Sequence, residues 1–404
     1  MRRGLGVLAL LAPAWLAACA IQHPTKTAEH AMTLRPVAFA ALPGWTQDHP
    51  AQAMPALLST CAALAASPDH ALGGSGEAAA LGGKAVQWTP ACAAAGSVPP
   101  GDDAAARIFF EAQFQLYAVT DSAADGLFTG YYEPEVAGSR TPDAGYATPL
   151  LSRPNDLVQA DLGTFDPALQ GKHVTGRLQG DQLVPYYDRA QIATGALDRQ
   201  RLDLLWLADP VDAFVLQIQG SGRVRLPDGR TVRVSYAAQN GRPYVPIGRV
   251  LADHGAIPLD QVSMQSIRAW LAAHPDQAAA MMDQNPSYVF FREVDDLHPD
   301  QGPPGALGVP LTPGRSVAVD KRFIPLGAPV FVATIDPLDN RPLRRLMLAQ
   351  DLGGAIRGPV RADIFWGWDH DAETRAGKMH AKGAEYLLLP RQPQRAPQRA
   401  AVSG

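Results

Sequence analysis

The sequence predicts a mainly β protein that contains a small closed barrel. Short apolar runs recur through the second half of the chain with polar turns between them, which is typical of small barrels. The chain has 37 glycines and 36 prolines, a content that suits many strands and turns better than a helix bundle. Its 404 residues are enough for two domains with a large core.

The composition excludes several classes of function. Charged residues make up 18% of the chain and the formal net charge is −4, so the chain has no strong electrostatic attraction for nucleic acid. The sequence contains no Walker loop, no dinucleotide-binding glycine fingerprint and no Cys/His cluster at zinc spacing. We therefore predict no nucleic-acid partner, no cofactor and no bound metal.

The first residues predict an exported lipoprotein with a signal peptide over residues 1–19. Arg2 and Arg3 precede an apolar run, residues 5–16, that is too short to span a membrane as a stable helix. The run ends in LAAC, which resembles a bacterial lipobox, so we expect acylation of the Cys19 thiol. Ala20, where an aspartate would favour the inner membrane, predicts an outer-membrane lipoprotein facing the periplasm. The alternative is an ordinary secretory signal with an incidental cysteine.

The region before residue 120 is predicted to mix helices with unpatterned stretches. We expect a tether at 20–50, a helix at 51–66, a loop at 67–100 and a second helix at 104–117, opened by acidic residues. Cys61 and Cys92 either pair in an oxidising compartment or remain buried free thiols, and their spacing leaves both alternatives open.

A strand and a hairpin are predicted in the middle of the chain. Alternating apolar residues favour a strand at 214–219, and two further runs favour a hairpin around the turn at 227–230. Arg223, Arg225 and Arg233 alternate with valines along that hairpin, and we expect them on its solvated face.

Helices and then strands are predicted after the hairpin. Helical patterns occur at 247–254 and 263–274, and Pro275 fits the first turn of another helix. The tail at 391–404 lacks an apolar pattern, so we expect disorder. Strand-like runs lie at 288–291, 316–319, 330–335, 346–349, 363–366 and 386–389.

Two aspartates flank a turn rich in glycine and proline. Asp351 ends one apolar run and Asp363 begins the next, so we expect the turn to bring both carboxyl groups toward one cleft. Such a pair suits proton-transfer chemistry. The alternative is that both cap turns through backbone N–H groups.

The segment FTGYYEP at residues 128–134 has the composition of a sugar-binding surface. Thr129, Tyr131 and Tyr132 offer hydroxyl groups and rings on which sugars stack, and Gly130 would let backbone approach a ligand. Packing in the core is the alternative for any one of the aromatic residues.

Several motifs together resemble the membrane-bound lytic murein transglycosylase A family, with its C-terminal 3D domain, over residues 105–390. The most specific is AQDLGGAIRG at 349–358 followed by RADIFWG at 361–367. The others are FTGYYEP at 128–134, QIQGSG at 217–222, NGRPYVPIGRVL at 240–251, QNPSYVFFRE at 284–293 and AVDKRFIPLGAPVFV at 318–332.

The resemblance implies a fold in two units. A double-psi β-barrel would be built from residues 20–134 and 258–390, and a second β-rich domain, residues 135–257, would be inserted between those parts. A groove between the units would hold a peptidoglycan glycan strand.

The resemblance also implies the reaction and its residues. A lytic transglycosylase is a lyase that cleaves the β-1,4 bond between MurNAc and GlcNAc and leaves a 1,6-anhydro-MurNAc end. Asp363 matches the family's general acid and base, and Asp351 matches a supporting aspartate. Candidate sugar contacts are Thr129, Tyr131, Tyr132, Gln219, Ser221 and, by a looser alignment, Arg249.

Other functions remain open from the sequence. A non-catalytic, expansin-like barrel would bind cell-wall glycan without cleaving it, and a hydrolase would use water in place of the sugar hydroxyl. If both aspartates were dispensable, Glu133 would be the next candidate acid. The candidate partners are peptidoglycan glycan strands, the outer membrane through a lipid anchor, and cell-wall synthesis proteins.

Overall fold

The computed structural model describes residues 30–169, 172–295 and 297–391. The predicted signal peptide with Cys19, and the predicted tail from residue 392 onward, lie outside these ranges. The described strands are β1 Met32–Val37, β2 Phe114–Asp121, β3 Leu127–Tyr131, β4 Glu135–Ser139, β5 Thr148–Leu151, β6 Val158–Asp161, β7 His173–Gln179, β8 Gln182–Pro185, β9 Asp203–Leu207, β10 Ser221–Arg225, β11 Thr231–Gln239, β12 Val289–Glu293, β13 Ser316–Val319, β14 Pro329–Ile335, β15 Pro342–Leu352, β16 Arg361–Phe365, β17 His380–Lys382 and β18 Ala384–Pro390.

Helices occur mainly before β2 and between the strands of the middle region. The described α-helices are α1 Met54–Ala66, α2 Gly76–Gly82, α3 Thr89–Ala95, α4 Asp103–Gln113, α5 Arg189–Ala193, α6 Pro210–Gln219, α7 Ile247–Asp253, α8 Met264–Ala273, α9 Pro275–Met282 and α10 His370–Lys378. The fold is therefore mainly β with several short helices, as the sequence predicts.

A nine-stranded sheet forms the larger part of the molecule, with strand order β1-β2-β18-β14-β15-β13-β16-β3-β17. β13 runs parallel to β15, and β16 runs parallel to β3, whereas the other neighbours are antiparallel. The hydrogen-bonded order is open, with β1 and β17 at its ends, so the predicted closed barrel is not seen in the described ranges. The edge strand β17 nonetheless contacts β14, because the Thr334 hydroxyl of β14 donates to the Lys382 carbonyl of β17 at 2.8 Å.

A six-stranded sheet and a three-stranded sheet occupy the middle of the chain. Their orders are β12-β11-β10-β4-β9-β5 and β6-β7-β8. β4 follows β3 after only three residues, so the chain passes directly from the nine-stranded sheet into the six-stranded one. The segment 132–134 therefore lies at the junction of the two sheets.

The nine-stranded and six-stranded sheets have separate hydrophobic cores. Helices α1 to α4 pack against the nine-stranded sheet, where the rings of Phe110 and Phe114 lie 5.8 Å apart beside Trp88. A smaller core joins α6 to the six-stranded sheet through Leu216 and Phe291. Each fully buried side chain of this size contributes roughly 1.5–3 kcal/mol relative to exposure, so both layers have their own driving force for folding.

The strand predicted at 214–219 is wrong, because these residues belong to helix α6. The side chain of Asp209 caps the helix by accepting from the backbone N–H of Val211, Pro210 occupies the first turn, and Gly220 ends it with φ +80°. All residues from 213 to 217 are buried. A helix that is covered on most sides does not show the polar face that distinguishes it from a strand.

Other predictions for the first 120 residues need correction as well. The expected tether contains β1, which pairs with β2, and the expected loop at 67–100 contains α2 and α3. The helix predicted at 104–117 ends at Gln113, because Phe114 begins β2, which lies between β1 and β18. Helices α2 and α3 are rich in alanine and lack a charged face, so their sequences show no clear helical periodicity.

The predicted elements after residue 220 are confirmed, with shifts of a few residues at their ends. The hairpin is formed by β10 and β11, and the helices predicted from residues 247, 263 and 275 are α7, α8 and α9. The side chain of Ser263 caps α8 by accepting from the backbone N–H of Ser266 at 3.1 Å. The six predicted strands correspond to β12, β13, β14, β15, β16 and β18.

The two cysteines, whose pairing the sequence left open, form a disulfide. Cys61 on α1 and Cys92 on α3 are bonded, with 5.4 Å between their Cα atoms. The bond joins two helices that pack on the nine-stranded sheet.

We predict that replacing Cys61 and Cys92 by serine lowers the free energy of unfolding by roughly 3–4 kcal/mol. The disulfide closes a loop across a sequence separation of 31, and an open loop increases the entropy of the unfolded chain. Urea denaturation of the double variant and of the wild type measures the loss. Equal midpoints and slopes for both proteins would contradict this role.

Candidate active site

Backbone pairing places the two aspartates on either side of one residue. Ala318 of β13 pairs with Asp351 of β15 in parallel and with Asp363 of β16 in antiparallel register. Asp363 in turn pairs with Thr129 of β3, and Thr129 pairs with His380 of β17. Neighbouring strands lie about 4.8 Å apart, so these five residues form one row across the sheet.

Asp351 is held firmly by its neighbours. One carboxylate oxygen accepts from the Tyr131 hydroxyl at 2.8 Å, and the other accepts from the backbone N–H groups of Ala306 and Leu352, both at 2.9 Å. Burial raises the pKa of Asp351 above its usual range, and the nearby charge of Asp363 adds to this, although the three hydrogen bonds oppose it. Both oxygens of Asp351 are therefore occupied.

Asp363 is less restrained. The Thr129 hydroxyl donates to one of its carboxylate oxygens at 2.6 Å, and this is its side-chain hydrogen bond within the described part of the chain. Protein surrounds the carboxyl group, while the residue as a whole is only half-buried. Burial raises the pKa of Asp363, whereas the charge of Arg361 and the Thr129 hydrogen bond oppose the rise. The result is a carboxyl group that favours protonation and has an oxygen available.

The two tyrosines of FTGYYEP are mostly buried. Tyr131 packs its ring 5.3 Å from that of Phe365 while its hydroxyl supports Asp351, and burial raises its pKa well above the usual range. The Tyr132 hydroxyl donates to Glu373 at 3.1 Å. Gly130 faces the indole of Trp366, which an added Cβ would approach to 2.6 Å, so this glycine makes room for a side chain.

The remaining predicted site residues differ in their contacts and burial. The Gln219 side-chain oxygen accepts from the backbone N–H of Tyr132 at 3.0 Å, which joins α6 to the junction segment. Ser221 is buried at the start of β10, directly after Gly220. Arg249 is exposed on α7 and pairs with Asp253 at 2.8 Å, and no contact among the described residues joins it to either aspartate.

Glu133 forms a buried ion-pair cluster that the sequence analysis missed. Its carboxylate, with no exposed surface, accepts four hydrogen bonds, from Arg223 at 2.9 Å and from Arg233 at 2.7 to 3.1 Å. The expectation that both arginines face solvent is therefore wrong, whereas Arg225 is exposed as predicted. Arg223 and Arg233 lie directly opposite each other in the hairpin, and this repulsive cross-strand pair was the signal for a shared anion.

A further buried acid, Glu385, shares the charged neighbour Arg361 with Asp363. Glu385 on β18 is 1% exposed, and neither of its carboxylate oxygens has a hydrogen-bond partner among the described residues. Burial raises the pKa of Glu385 to about 8, and the charge of Arg361 opposes this. Arg361 thus lies within electrostatic range of both Asp363 and Glu385. The signal in the sequence was one glutamate inside the apolar run of β18.

The described residues contain neither a metal-binding cluster nor a helix that could span a membrane. No group of three or more His, Cys, Asp or Glu side chains is close enough to hold a metal ion among those residues. Likewise, no described helix has the length and apolarity needed to cross a membrane.

Comparisons with known proteins identify the class and the family. Residues 127–292 match the MltA specific insert domain, and residues 315–389 match the 3D domain. The membrane-bound lytic murein transglycosylase A of Vibrio cholerae is 30% identical over 302 residues, which are 71% of this chain and 73% of that protein.

Solved structures agree with these matches. A membrane-bound lytic murein transglycosylase from Agrobacterium tumefaciens superposes with a TM-score of 0.79 and 35% identity, over 89% of this chain and 98% of that one. Escherichia coli MltA with bound chitohexaose matches with a TM-score of 0.56 and 30% identity, over 72% of this chain and 79% of that one. The protein is therefore a peptidoglycan lytic transglycosylase. Within that class, the chain belongs to the membrane-bound lytic murein transglycosylase A family.

We predict that Glu385→Gln reduces the loss of stability that accompanies rising pH. Burial raises the pKa of the Glu385 carboxyl to about 8 in the folded protein, whereas the pKa of an unfolded glutamate is about 4.3. The folded state is therefore favoured at low pH. Its free energy of unfolding decreases as the pH rises from roughly 4.3 to 8. Glutamine does not titrate, so this contribution to the fall disappears.

Urea denaturation at several pH values between 5 and 8 measures this effect. Asp351 and Asp363 have raised pKa values too, so a smaller decline remains in the variant. Asp181→Asn, in the exposed turn between β7 and β8, is the matched control and should behave like the wild type. A decline in Glu385→Gln as steep as in the wild type would show that Glu385 does not titrate in this range.

Proposed function

We propose that Asp363 alone performs both proton transfers of the lytic reaction. The observation that carries this proposal is its buried carboxyl group, which has a raised pKa and only one described hydrogen bond, to Thr129. A general acid must hold its proton near the working pH, and burial achieves this for a carboxyl group.

The proposed reaction needs one carboxyl group because the nucleophile belongs to the substrate. Protonated Asp363 gives its proton to the oxygen that links MurNAc to GlcNAc, and the bond from C1 of MurNAc to that oxygen breaks. The Asp363 carboxylate then removes the proton from the C6 hydroxyl of the same MurNAc ring as O6 bonds to C1. The product is a 1,6-anhydro-MurNAc end, and the carboxyl group is protonated again. An attack within one ring gains the advantage of a tethered nucleophile.

The hydrogen bonds support Asp363 over its two competitors. Asp351 accepts three hydrogen bonds on its two oxygens, so it suits a supporting role through charge and geometry. Both oxygens of Glu133 are held by guanidinium groups, which leaves none for a substrate. Thr129 holds one oxygen of Asp363 and can orient the other toward the glycosidic bond.

We further propose that the glycan strand lies along the junction between the nine-stranded and six-stranded sheets. Thr129, Gln219 and Ser221 lie there and would contact sugars, with Tyr131 and Tyr132 behind them. Arg249, exposed on α7, is the further candidate for a sugar contact. The solved E. coli relative with bound chitohexaose supports a groove for an amino-sugar polymer.

The finer description of the fold is also a proposal. The contact between Thr334 of β14 and Lys382 of β17 supports closure of the nine-stranded sheet into a double-psi β-barrel. Sheet membership supports an inserted β-rich domain between residues 135 and 257, flanked by the two parts of the barrel domain at 20–134 and 258–390, although β12 pairs with β11 of the insert.

The proposed location is the periplasmic face of the outer membrane. The lipobox-like LAAC at 16–19 supports an anchor on Cys19, and the relatives are named membrane-bound. Such an anchor would keep the enzyme near peptidoglycan glycan strands and within reach of cell-wall synthesis proteins.

Mass spectrometry of digested peptidoglycan tests the reaction. We expect products that end in 1,6-anhydro-MurNAc, because the C6 hydroxyl replaces water as nucleophile. Products heavier by one water would indicate a hydrolase, and intact glycan would indicate a binding protein. Either of these results would contradict the proposed function.

We predict that Asp363→Asn loses roughly 10³-fold or more in the rate of anhydro-product release. The amide keeps the shape but cannot supply a proton, and general acid–base catalysis contributes about 10²–10⁴-fold. Binding of glycan to this variant should be largely retained.

Asp351→Asn is the matched comparison and should lose less activity if its role is geometric. Circular dichroism should show that both variants fold. Near-normal activity of Asp363→Asn together with an inactive Asp351→Asn would mean that the two roles are reversed.

A further inference from the structure

A cavity of about 360 Å³ lies beside the six-stranded sheet, between β5 and helices α5, α6 and α9. None of the predicted catalytic residues lines it. We call it the α6 pocket, and the residues that matter for its chemistry are Leu151, Arg189, Phe214, Gln217, Ala279 and Asp283.

Arg189 places a buried positive charge at this pocket. Its side chain is 6% exposed and donates to the Asn285 carbonyl, the Gln217 side-chain oxygen and the Ser287 carbonyl. All three acceptors are neutral, and they use three of the five N–H groups of a guanidinium. The cation also lies 4.7 Å from the ring of Phe214. A buried charge without a counterion is costly, so this guanidinium is a suitable partner for an anionic ligand group.

Asp283, the residue that ends α9, faces the same pocket. Burial raises its pKa, and the charge of Asp188 adds to the rise while that of Arg189 opposes it. Arg189 and Asp283 thus interact at a distance, yet every described hydrogen bond of Arg189 goes to another residue. Two opposite charges that line one cavity without a hydrogen bond between them match a ligand with one positive and one negative group.

The rest of the pocket is consistent with an amino-acid ligand. Its walls are largely apolar, with Leu151 and Phe214 among them, and so suit an alkyl side chain. The other charged groups at the pocket are exposed at its rim, where water screens them, and they are Asp198, Arg201 and Asp203.

The pocket lies close to the proposed glycan groove. Gln217, which binds Arg189, is on the same helix as Gln219, which binds the backbone of Tyr132 in the junction segment. Tyr244 is within electrostatic range of both Arg189 and Asp363. Helix α6 and Tyr244 thus connect the pocket with the proposed groove.

We propose that the α6 pocket binds a zwitterionic amino-acid group of a peptide attached to the glycan strand. The ligand carboxylate would bind Arg189, and its ammonium group would bind Asp283. This proposal rests on the proposed function, because the strand must lie in the groove for its peptide to reach the pocket.

Filling the pocket tests the proposal without altering Arg189. Ala279 and Ala280 are both exposed on α9, but only Ala279 lines the pocket, so Ala279→Trp blocks it and Ala280→Trp is the matched control. We measure kcat/KM for strands with their peptides and for strands whose peptides have been removed. Ala279→Trp should lose about tenfold or more with peptide-bearing strands, the scale of a lost charged hydrogen bond, and nothing with bare strands. Equal effects on both substrates would overturn the proposal.

Direct binding separates this proposal from the catalytic one. Calorimetry with a disaccharide-peptide fragment should show binding to the wild type and to Ala280→Trp but weaker binding to Ala279→Trp, whether or not the enzyme forms anhydro products. Absence of anhydro products with normal fragment binding would reject only the proposed reaction. Fragment binding that is unaffected by Ala279→Trp would contradict the proposal that the α6 pocket binds the peptide.

Acetylation of the free amine of the fragment tests the zwitterion. The acetylated fragment should bind the wild type about tenfold or more weakly, because the ammonium group is lost. The Asp283→Asn variant should bind the free and the acetylated fragment equally, and as weakly as the wild type binds the acetylated fragment. If acetylation leaves the wild-type affinity unchanged, Asp283 does not bind an ammonium group and the assignment is wrong.

Discussion

Strand register is the constraint on which the site depends. Ala318 fixes the positions of Asp351 and Asp363 on either side of β13, and β3 adds Thr129 beside Asp363 in the same row. Because side chains alternate between faces, a slip of one residue in β16 would move Asp363 to the opposite face of the sheet. The apolar residues Ala362 and Ile364, both fully buried, resist such a slip because it would expose them. On the other face of β16, burial of the Asp363 carboxyl group itself raises its pKa.

The two sheets are held in one arrangement at the segment that follows β3. Glu133 binds Arg223 and Arg233 of the β10–β11 hairpin, and its backbone N–H donates to the Gly367 carbonyl, just after β16, at 2.8 Å. The Arg223 guanidinium also lies 4.1 Å from the ring of Trp368. A buried carboxylate shared by two arginines is costly to break, because removal of one partner leaves an uncompensated charge. The cluster therefore sets how the walls of the proposed groove face each other.

Much of the candidate site could be predicted from local motifs, whereas contacts between residues distant in sequence could not. Asp351 and Asp363 are visible from the sequence because glycine-rich turns and apolar runs mark the ends of their strands. The ion-pair cluster of Glu133 depends on Arg223 and Arg233, which are 90 and 100 positions away, so no local pattern contains the cluster. Glu385 is similar, since a single acid in an apolar strand does not reveal which charge it will face. Helix α6 was misread because burial on most sides removes the helical period from its sequence.

The central claim is that Asp363 keeps its proton in the folded enzyme at a pH where an ordinary aspartate has lost it. The most direct measurement is a ¹³C NMR titration of protein labelled at the aspartate side-chain carboxyl carbons. The Asp363 signal is identified by its absence from the Asp363→Asn spectrum. We expect this signal to titrate clearly above the ordinary aspartate pKa of about 3.9. Titration at or below that value would contradict it, because the carboxyl group would then be ionised before it could act as an acid.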